Sequence, residues 1–203
     1  MDKYRLILTD CPWTYSQAWS GRRVHGAASA QYHQESDEFL KSIPVGGWVD
    51  LSGCVIAQWA TLPRLDSAVD VLRSWGFTYK TALPWTKTVP STGNIKRGIG
   101  IWFMQTTELL LFGTVGKVSG FKERRGVQGL LIDGCSFYAP GRKHSEKPSD
   151  LYDYLEMFPG PYLELFGRHN RPGWTTWGME AISKTELGPW GVRPYASKDL
   201  DGG

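Results

Sequence analysis

The tetrapeptide Asp10-Cys11-Pro12-Trp13 brings a carboxylate, a proline and an indole together within four positions. It follows residues 4–9, a short apolar and β-prone run that predicts a buried strand. Because Pro12 lacks a backbone N–H and has a fixed φ, the strand is expected to end in a turn here. A carboxylate on such a turn can accept hydrogen bonds from an amino group, and an indole can stack on a flat ring. These groups suit an enzyme that acts on a nucleobase, although a solvated Asp beside a core Trp is the simpler alternative.

A second polar turn follows the strand expected at residues 162–166. It consists of Gly167, Arg168, His169 and Asn170. In an open parallel α/β sheet, ligands bind beyond the carboxyl ends of the strands, so this turn and Asp10 are expected to share one rim. A glycine after a buried strand lets the backbone approach a ligand closely, although a packing role is commoner.

The rest of the chain alternates predicted strands and helices. Strands are expected at residues 54–61, 77–83, 108–113 and 129–138, and helices at residues 36–41, 64–75 and 148–158. The helix signals are Ser36 as an N-cap, Pro63 at a helix start and Gly76 at a helix end. This alternation predicts an α/β fold with a doubly wound sheet. We expect one domain over residues 1–180, followed by a loosely held tail at residues 181–203.

Composition narrows the class of protein. With 203 residues and a hydrophobic share of 41%, the chain is long enough for one large domain with a real core. No apolar run approaches the length of a membrane-spanning helix, and no signal peptide is expected. The cysteines, Cys11, Cys54 and Cys135, lack metal-ligand spacing, which is typical of reduced thiols in a cytosolic protein. The net charge of +3 does not indicate nucleic-acid binding by itself, but 10 tryptophans beside basic loops suit stacking on bases.

Two glycine-containing basic segments interrupt the alternation of strands and helices. Residues 86–99 carry Lys87, Lys96 and Arg97, and residues 117–125 include Arg124 and Arg125. A long loop inside a compact domain is usually functional or disordered. Each segment alone is best interpreted as a solvated surface loop, but two of them in one small domain favour contact with a polyanion.

Four parts of the chain resemble, in order, the conserved blocks of the adenine N6-methyltransferase family that includes the catalytic subunit of the mRNA adenosine methyltransferase. The resembling segments are residues 10–13 (its Asp-Pro-Pro-Trp signature), residues 85–87 with 108–114 (its middle block), residues 144–150 (its His-Ser-x-Lys-Pro-Asp block) and residues 164–178 (its final block). The resemblance covers roughly residues 4–180, and the order of the blocks makes it specific.

The resemblance implies a Rossmann-like methyltransferase fold that uses S-adenosylmethionine, with a mostly parallel sheet, helices on both faces and the catalytic motif ahead of the cofactor motif. Short members of this kind are typically bacterial or phage proteins acting on DNA, in the cytoplasm of the bacterium or the infected host cell. The implied reaction is direct methyl transfer to the N6 amine of adenine, which needs orientation more than a strong base and no metal. A base inside a duplex must first be extruded.

The family's functional residues can be carried over by position. Asp10 and the Cys11 carbonyl would accept the two hydrogen bonds of the adenine amino group, and Trp13 would stack on the flipped base. Lys147 would hold the methionine carboxylate of the cofactor. The expected catalytic residues are Asp10, Cys11, Pro12 and Trp13. The expected cofactor-binding residues are Asp10, Lys147, Glu164, Phe166, Gly167, Arg168, His169, Asn170 and Glu180. The expected substrate-binding residues are Trp13, Tyr15, Lys87, Lys96, Arg97, Glu108, Arg124 and Arg125.

Two positions depart from the family pattern. Cys11 replaces the first proline of the signature, which keeps the carbonyl but loses rigidity, and Met179 stands where many members have Asn. Three alternatives stay open at this point: RNA as the substrate, a nucleic-acid-binding pseudo-methyltransferase that scaffolds an active subunit, and a homodimer or a complex with a partner subunit.

Overall fold

Eight strands and three helices make up the part of the chain that the structure, a computed structural model, describes. The described residues are 3–15, 34–98, 103–118, 131–133 (backbone only), 136–141 and 146–178. The strands are β1 (Leu6–Thr9), β2 (Gly53–Thr61), β3 (Thr78–Thr88), β4 (Thr107–Gly116), β5 (Leu131–Asp133), β6 (Ser136–Pro140), β7 (Tyr162–Leu165) and β8 (Trp174–Trp177). The helices are α1 (Asp37–Ser42), α2 (Leu65–Ser74) and α3 (Asp150–Leu155).

The strands form a single mixed sheet in the order β5-β6-β3-β4-β2-β1-β7-β8. Strands β2, β1, β7 and β8 pair in parallel, as do β3 and β6. Strand β4 is antiparallel to both of its neighbours, β2 and β3, and β5 is antiparallel to β6. Six strands therefore point their carboxyl ends to one edge of the sheet, which we call the rim. Strand β4 begins at this rim with Glu108 opposite Thr61.

The central strand β1 is buried on both of its faces, so its side chains divide between two hydrophobic cores. Ile7 packs in the core that contains residues of α1 and α2, including Leu40 and Leu72. Leu6 and Leu8 pack in the opposite core, which contains residues of α3. Successive strand side chains point to opposite faces, so an uninterrupted apolar strand requires helices on both sides. The predicted doubly wound α/β architecture is confirmed.

The ends of α1 and α2 follow from their sequence signals. The Ser36 hydroxyl accepts a hydrogen bond from the backbone N–H of Phe39 at 3.1 Å, so it caps α1 as predicted. Gly76 follows α2 with φ of +90°, a left-handed conformation that favours glycine over residues with a Cβ. The turn that contains Pro63 is a separate 3-10 turn ahead of α2, and α2 itself begins at Leu65.

Three of the predicted elements differ from the structure, which also contains one strand that was not predicted. Strand β3 continues to Thr88 instead of ending near residue 83, because its second half pairs with β4 on one side and with β6 on the other. The single strand expected at residues 129–138 is a two-stranded hairpin, β5 and β6. Helix α3 covers only six residues, and β8 was not predicted. The extension of β3 and the addition of β8 depend on pairing with other, non-adjacent segments of the chain, which local patterns do not carry.

None of the helices in the described part of the chain is long and apolar enough to cross a membrane.

Leu111 tests how much the fold depends on the middle of the sheet. Its side chain is fully buried on β4, between β2 and β3. We expect Leu111→Ala to lower the free energy of unfolding by about 2–5 kcal/mol, because it removes buried methyl groups and leaves a cavity. Chemical denaturation measures the change, with Leu51→Ala as the control, since Leu51 is 71% exposed and should change stability by less than about 0.5 kcal/mol. Equal effects of the two substitutions would contradict the assigned core.

Candidate active site

The sheet topology has a switch point at the rim between β1 and β7, where a crevice is expected. From β1 the chain passes through α1 to β2 on one side, whereas α3 leads into β7 on the other side of β1. The two connections use opposite faces of the sheet, so the loops that leave β1 and β7 diverge. Such a switch point is where open α/β sheets bind ligands. Asp10 follows β1 and Phe166 follows β7, so the two turns predicted to share a rim are adjacent.

The turn after β1 is fixed by hydrogen bonds to the chain ahead of α1. The backbone N–H of Glu35 donates to the Pro12 carbonyl at 2.8 Å, and the Thr14 hydroxyl donates to the Glu35 carbonyl at 2.7 Å. The hydroxyls of Tyr15 and Thr61 are 2.8 Å apart, which ties the end of this turn to the end of β2. The rigidity expected from a second proline is therefore supplied in part by these contacts.

Four side chains of alternating charge form a cluster at the rim. The Lys147 ammonium lies 2.9 Å from Asp10 Oδ2 and 3.2 Å from Glu108 Oε2. Lys87 makes an ion pair and hydrogen bond with the other oxygen of Glu108. The cluster brings together a residue after β1, the first part of β4, the last part of β3 and the segment before α3. We call Asp10, Lys147, Glu108 and Lys87 the rim cluster.

Burial makes the central pair of the rim cluster strongly interdependent. Burial alone would lower the pKa of Lys147, but Asp10 and Glu108 outweigh it and raise that pKa above its ordinary value. Burial alone would raise the pKa of Glu108, yet Lys147 and Lys87 hold it below its ordinary value. The ammonium also lies 5.4 Å from the centre of the Trp59 ring, a favourable cation–π geometry. Both groups are therefore charged at neutral pH.

Trp13 is covered by neighbouring side chains. It is 5% exposed, and its indole N–H donates to the Trp59 carbonyl at 3.4 Å. The Arg64 guanidinium lies 5.8 Å from the centre of the indole ring and is paired with Asp37. The stacking role of Trp13 stays a prediction, and it requires these neighbours, Arg64 above all, to move aside for a base.

The Cys11 thiol points away from the rim into a hydrophobic core. Its side chain is 3% exposed, and the sulfur lies 3.4 Å from the Thr9 hydroxyl oxygen. Burial raises the pKa of this thiol to about 12, so it is not a nucleophile at neutral pH. The Cys11 carbonyl accepts the backbone N–H of Trp13 at 2.9 Å. That carbonyl oxygen keeps a second lone pair, which can accept a further hydrogen bond. The family resemblance predicted that the adenine amino group donates to this oxygen.

Glu164 is a buried carboxylate on β7 with one unused oxygen. Tyr152 of α3 donates a hydrogen bond to Oε1 at 2.7 Å, whereas Oε2 is buried and has no partner within the described residues. Burial raises the pKa of Glu164 from 4.5 to about 7; the Tyr152 hydrogen bond opposes this shift, and the nearby Asp10 charge adds to it. An unsatisfied buried acceptor is costly, so Oε2 is suited to a hydrogen-bond donor from a ligand.

The turn after β7 is strained and tightly packed. Phe166 has φ of +62°, an uncommon conformation for a residue with a bulky side chain, and its ring packs edge-on against Trp177. A Cβ on Gly167 would lie 2.5 Å from the Thr176 side chain and 2.8 Å from that of Glu164. The glycine at this position is therefore required by packing of β7 against β8, which is the alternative that the sequence favoured.

A brace of charged and aromatic side chains holds the segment after this turn. Arg171 bonds to Asp153 at 2.9 Å and to Glu156 at 3.0 Å, and its guanidinium lies 4.6 Å from the centre of the Tyr152 ring. The Trp174 indole N–H also donates to Glu156 at 2.9 Å. These contacts tie the segment between β7 and β8 to α3, the helix that also supports Glu164.

The structure brings most of the sequence-predicted residues to one edge of the sheet. The rim cluster unites Asp10, Lys147, Glu108 and Lys87, and Tyr15 and Trp13 adjoin it. Arg168 is half-buried, and His169, Asn170, Lys96 and Arg97 are exposed. Arg124, Arg125 and Glu180 lie outside the described residues. Lys117, which begins the second basic segment, follows β4 at the edge opposite the rim. Within the described residues, no group of three or more His, Cys, Asp or Glu side chains could hold a metal ion.

Three supporting residues were missed from sequence. Trp59 contacts both Lys147 and Trp13, Tyr152 supports Glu164, and Arg64 covers Trp13. Trp59 and Tyr152 were assigned to a buried strand and a helix, where aromatic residues are ordinary core. A position near the carboxyl end of β2 was the one signal that could have indicated Trp59.

A mixed α/β sheet with a polar crevice at the carboxyl ends of its parallel strands defines a Rossmann-like α/β enzyme. The comparisons with known proteins then give the family. The MT-A70 family model matches residues 4–180, and the chain belongs to that family.

Three of the similar proteins are named as methyltransferases. The Mycoplasma protein named Type II methyltransferase M.MunI is 29% identical over 195 residues, which cover 88% of this chain and 78% of that protein. The Drosophila melanogaster N(6)-adenosine-methyltransferase MT-A70-like protein is 28% identical over all of this chain and 31% of its own length. The human N(6)-adenine-specific methyltransferase METTL4 is 27% identical over 88% of this chain and 38% of its own length. The chain thus spans less than half of these two animal relatives.

The raised pKa of Glu164 predicts a pH-dependent penalty in stability. Between pH 4.5 and about 7, Glu164 keeps its proton in the folded chain but has lost it in the unfolded chain. The contribution of Glu164 to the free energy of unfolding therefore falls as the pH rises through that window. Glu164→Gln should exceed wild type in unfolding free energy by about 1–3 kcal/mol at pH 8 and lose this advantage near pH 4.5. Denaturant titrations across this range measure it, with the exposed Glu38→Gln as the control for the substitution itself. A pH-independent difference would contradict the assigned ionisation.

Proposed function

We propose that this protein transfers the methyl group of S-adenosylmethionine to the N6 amine of adenine in DNA. Its family makes it an adenine N6-methyltransferase. The observation that carries the proposal is the position of Asp10, held by Lys147 at 2.9 Å beside the crevice between β1 and β7. DNA is favoured because M.MunI, named as a type II methyltransferase, is matched over 78% of its length.

The residues of the crevice fit S-adenosylmethionine. The cofactor carries ribose hydroxyls and an amino group, and the buried Glu164 Oε2 has no partner within the described residues. The exposed His169 and Asn170 follow Phe166 at the mouth of the crevice, where they can bind the polar parts of the cofactor. When bound, S-adenosylmethionine supplies an electrophilic methyl group on a sulfonium sulfur. Glu164, Phe166, Gly167, Arg168, His169 and Asn170 remain the proposed cofactor-binding residues.

Asp10 is suited to orient the adenine amine. Its Oδ2 is fixed by Lys147, whereas its Oδ1 makes no hydrogen bond to a described residue, and the side chain is 32% exposed. Oδ1 can therefore accept an N–H of the amine, and the Cys11 carbonyl can accept the other. Two acceptors on a fixed turn hold the nitrogen lone pair toward the methyl group, which is the geometric requirement of direct transfer. The nitrogen would lose one proton as its bond to the methyl carbon forms and the carbon–sulfur bond breaks, with the electron pair of the broken bond staying on the sulfur of the departing S-adenosylhomocysteine. The exposed face of Asp10 can pass that proton to solvent.

We propose two roles for Lys147, one in fixing Asp10 and Glu108 and one in binding the cofactor. Its contacts with Asp10 and Glu108 support a role in fixing the two carboxylates, and its place beside the crevice is compatible with the contact to the cofactor carboxylate expected from sequence. Glu108 is held in turn by Lys87, and only 10% of its side chain is exposed to solvent. We assign Glu108 to the adenine side of the site, where it limits the space around the flipped base.

RNA is the second candidate substrate. The Drosophila melanogaster relative is named an N(6)-adenosine-methyltransferase, and its match covers the whole of this chain. The deciding experiment incubates the protein with labelled S-adenosylmethionine and matched DNA or RNA, followed by nucleoside analysis. Labelled N6-methyldeoxyadenosine supports the proposal, labelled N6-methyladenosine selects RNA, and no label from a cofactor-binding protein indicates a scaffolding subunit.

Removal of the Asp10 carboxylate tests the mechanism directly. We expect Asp10→Ala to slow single-turnover methyl transfer about a hundred- to a thousandfold, because it removes a charged hydrogen-bond acceptor at the reacting amine. Asp10→Asn keeps one acceptor oxygen and should fall between Asp10→Ala and wild type. The melting temperature is measured on the same preparations, since Asp10 also pairs with Lys147. Near-normal methyl transfer by folded Asp10→Ala would contradict the proposed catalytic role of Asp10.

Lys147→Ala separates the two roles proposed for this lysine. Loss of the contact with the cofactor carboxylate should weaken cofactor binding about ten- to a hundredfold in calorimetry. Loss of the cation between Asp10 and Glu108, which leaves partly buried carboxylates without their partner, should lower the unfolding free energy at neutral pH by about 1–3 kcal/mol. This second loss should shrink at acidic pH, because protonation removes the Glu108 charge that Lys147 stabilises.

The control for Lys147→Ala is Lys41→Ala, which removes an exposed lysine from the last turn of α1. Unchanged cofactor affinity with lowered stability would limit Lys147 to fixing the carboxylates. Unchanged stability at every pH would contradict the ion pairs of the rim cluster.

A further inference from the structure

Exposed apolar side chains are concentrated in the connection between β3 and β4. Among the described residues, six large hydrophobic side chains are exposed, and three of them, Ile95, Phe103 and Met104, lie in this connection. Phe103 is 79% exposed and Met104, its neighbour in the chain, is 59% exposed. Exposing such a pair to water is unfavourable, and adjacent exposed apolar residues commonly mark a binding surface. We call Phe103 and Met104 the rim pair.

The rim pair is carried by backbone that is hydrogen-bonded at its base. The N–H of Lys87 donates to the Thr106 carbonyl at 2.9 Å, and the N–H of Gly98 donates to the Gln105 carbonyl at 2.7 Å. The N–H of Lys96 also donates to the Lys87 carbonyl at 2.7 Å. The rim pair therefore projects from an anchored base, immediately before the start of β4.

This base adjoins the proposed active site. Lys87, which pairs with Thr106 through its backbone, holds Glu108 through its side chain. Glu108 is linked through Lys147 to Asp10. A continuous series of contacts thus connects the proposed catalytic carboxylate to the segment that presents the rim pair.

The charge around the rim pair is positive. Residues 85–107 include Lys87, Lys96 and Arg97 and contain no Asp or Glu. Lys96 and Arg97 are exposed, and the backbone N–H of Gly98, which follows them, donates to the carbonyl of Gln105, the residue after the rim pair. Cationic side chains attract phosphates, whereas exposed apolar side chains next to them are suited to bases or to the gap between base pairs.

We propose that Phe103, supported by Met104, is the wedge that enters duplex DNA and occupies the space vacated when the target adenine turns into the active site. The inference rests on the proposed function and adds the residue that opens the duplex. Extrusion of a base costs pairing and stacking energy, and an aromatic side chain in the gap restores part of the stacking. Lys96 and Arg97 hold the neighbouring phosphates while the gap is filled.

A wedge differs from a residue that only contacts the DNA surface in the substrates on which its loss matters. It is needed only where a pairing partner must be broken, so its loss should matter less when the target adenine has no partner. The methylated sequence is first read from a pool of duplexes randomised around an adenine. That sequence is then prepared as a matched duplex and as a duplex with an abasic site opposite the target adenine.

We expect Phe103→Ala to lower kcat/KM about ten- to a hundredfold on the matched duplex and less than about threefold on the abasic duplex. A 2-aminopurine at the target position should show weaker fluorescence enhancement with the matched duplex for the variant than for wild type. Met104→Ala should show the same pattern with a smaller loss. The control is Leu51→Ala, which removes an equally exposed apolar side chain at the edge opposite the rim.

Each outcome of this experiment decides the inference. Equal losses on the two duplexes, or no loss on the matched duplex, would overturn the wedge while leaving the proposed methyl transfer intact. A wild-type protein that binds S-adenosylmethionine but methylates no duplex of the randomised pool would overturn both.

Discussion

The site depends on one buried cation placed between two carboxylates. Lys147 contacts Asp10 and Glu108, and Lys87 completes the charge balance on Glu108. Bringing two carboxylates together without a cation would raise the pKa of at least one of them and cost folding energy. Because the four residues come from distant parts of the chain, this ion-pair cluster also joins β1, β3, β4 and the segment before α3 at one edge. The placement of Asp10 therefore depends on the correct assembly of the sheet.

On the proposed cofactor side of the crevice, the buried carboxylate is not balanced by a contacting cation among the described residues. Glu164 is buried without a cation, and its support is a Tyr152 hydroxyl on a helix braced by Arg171. Phe166 adopts a left-handed conformation directly after β7, and the chains at Gly167 and Gly178 approach so closely that neither has room for a Cβ. Strain and unsatisfied polar groups persist where the surrounding structure enforces them, and they are commonly found at functional sites. Phe166 is strained and Glu164 Oε2 has no partner among the described residues, so both are destabilising by themselves. This is compatible with a site that gains hydrogen bonds when its ligand binds.

The residues that contact each other at the rim differ in how far local sequence could identify them. Asp10 was identifiable because a buried strand ends in a carboxylate and a proline. Glu108 and Lys147 were identifiable as members of resembling blocks, but their contact with each other was not. Trp59 and Tyr152 carry no local signal, since a tryptophan in a strand and a tyrosine in a helix are normally core residues. The burial of Trp13 beneath Arg64 likewise arises from packing of the turn against α2 and its preceding 3-10 turn.

Sequence by itself determined the α/β class, the caps of α1 and α2, the position of the turn proposed to be catalytic and the family blocks, because each is encoded by neighbouring residues. Only the tertiary structure decided that β4 runs antiparallel between β2 and β3, that β5 and β6 form a hairpin and that β8 extends the sheet. Except for the local β5–β6 pair, these strand directions and pairings are set by hydrogen bonds between segments that are not adjacent in the chain. For the same reason the rim cluster exists only in the folded protein: the antiparallel β4 is what carries Glu108 to the edge where Asp10 and Lys147 meet.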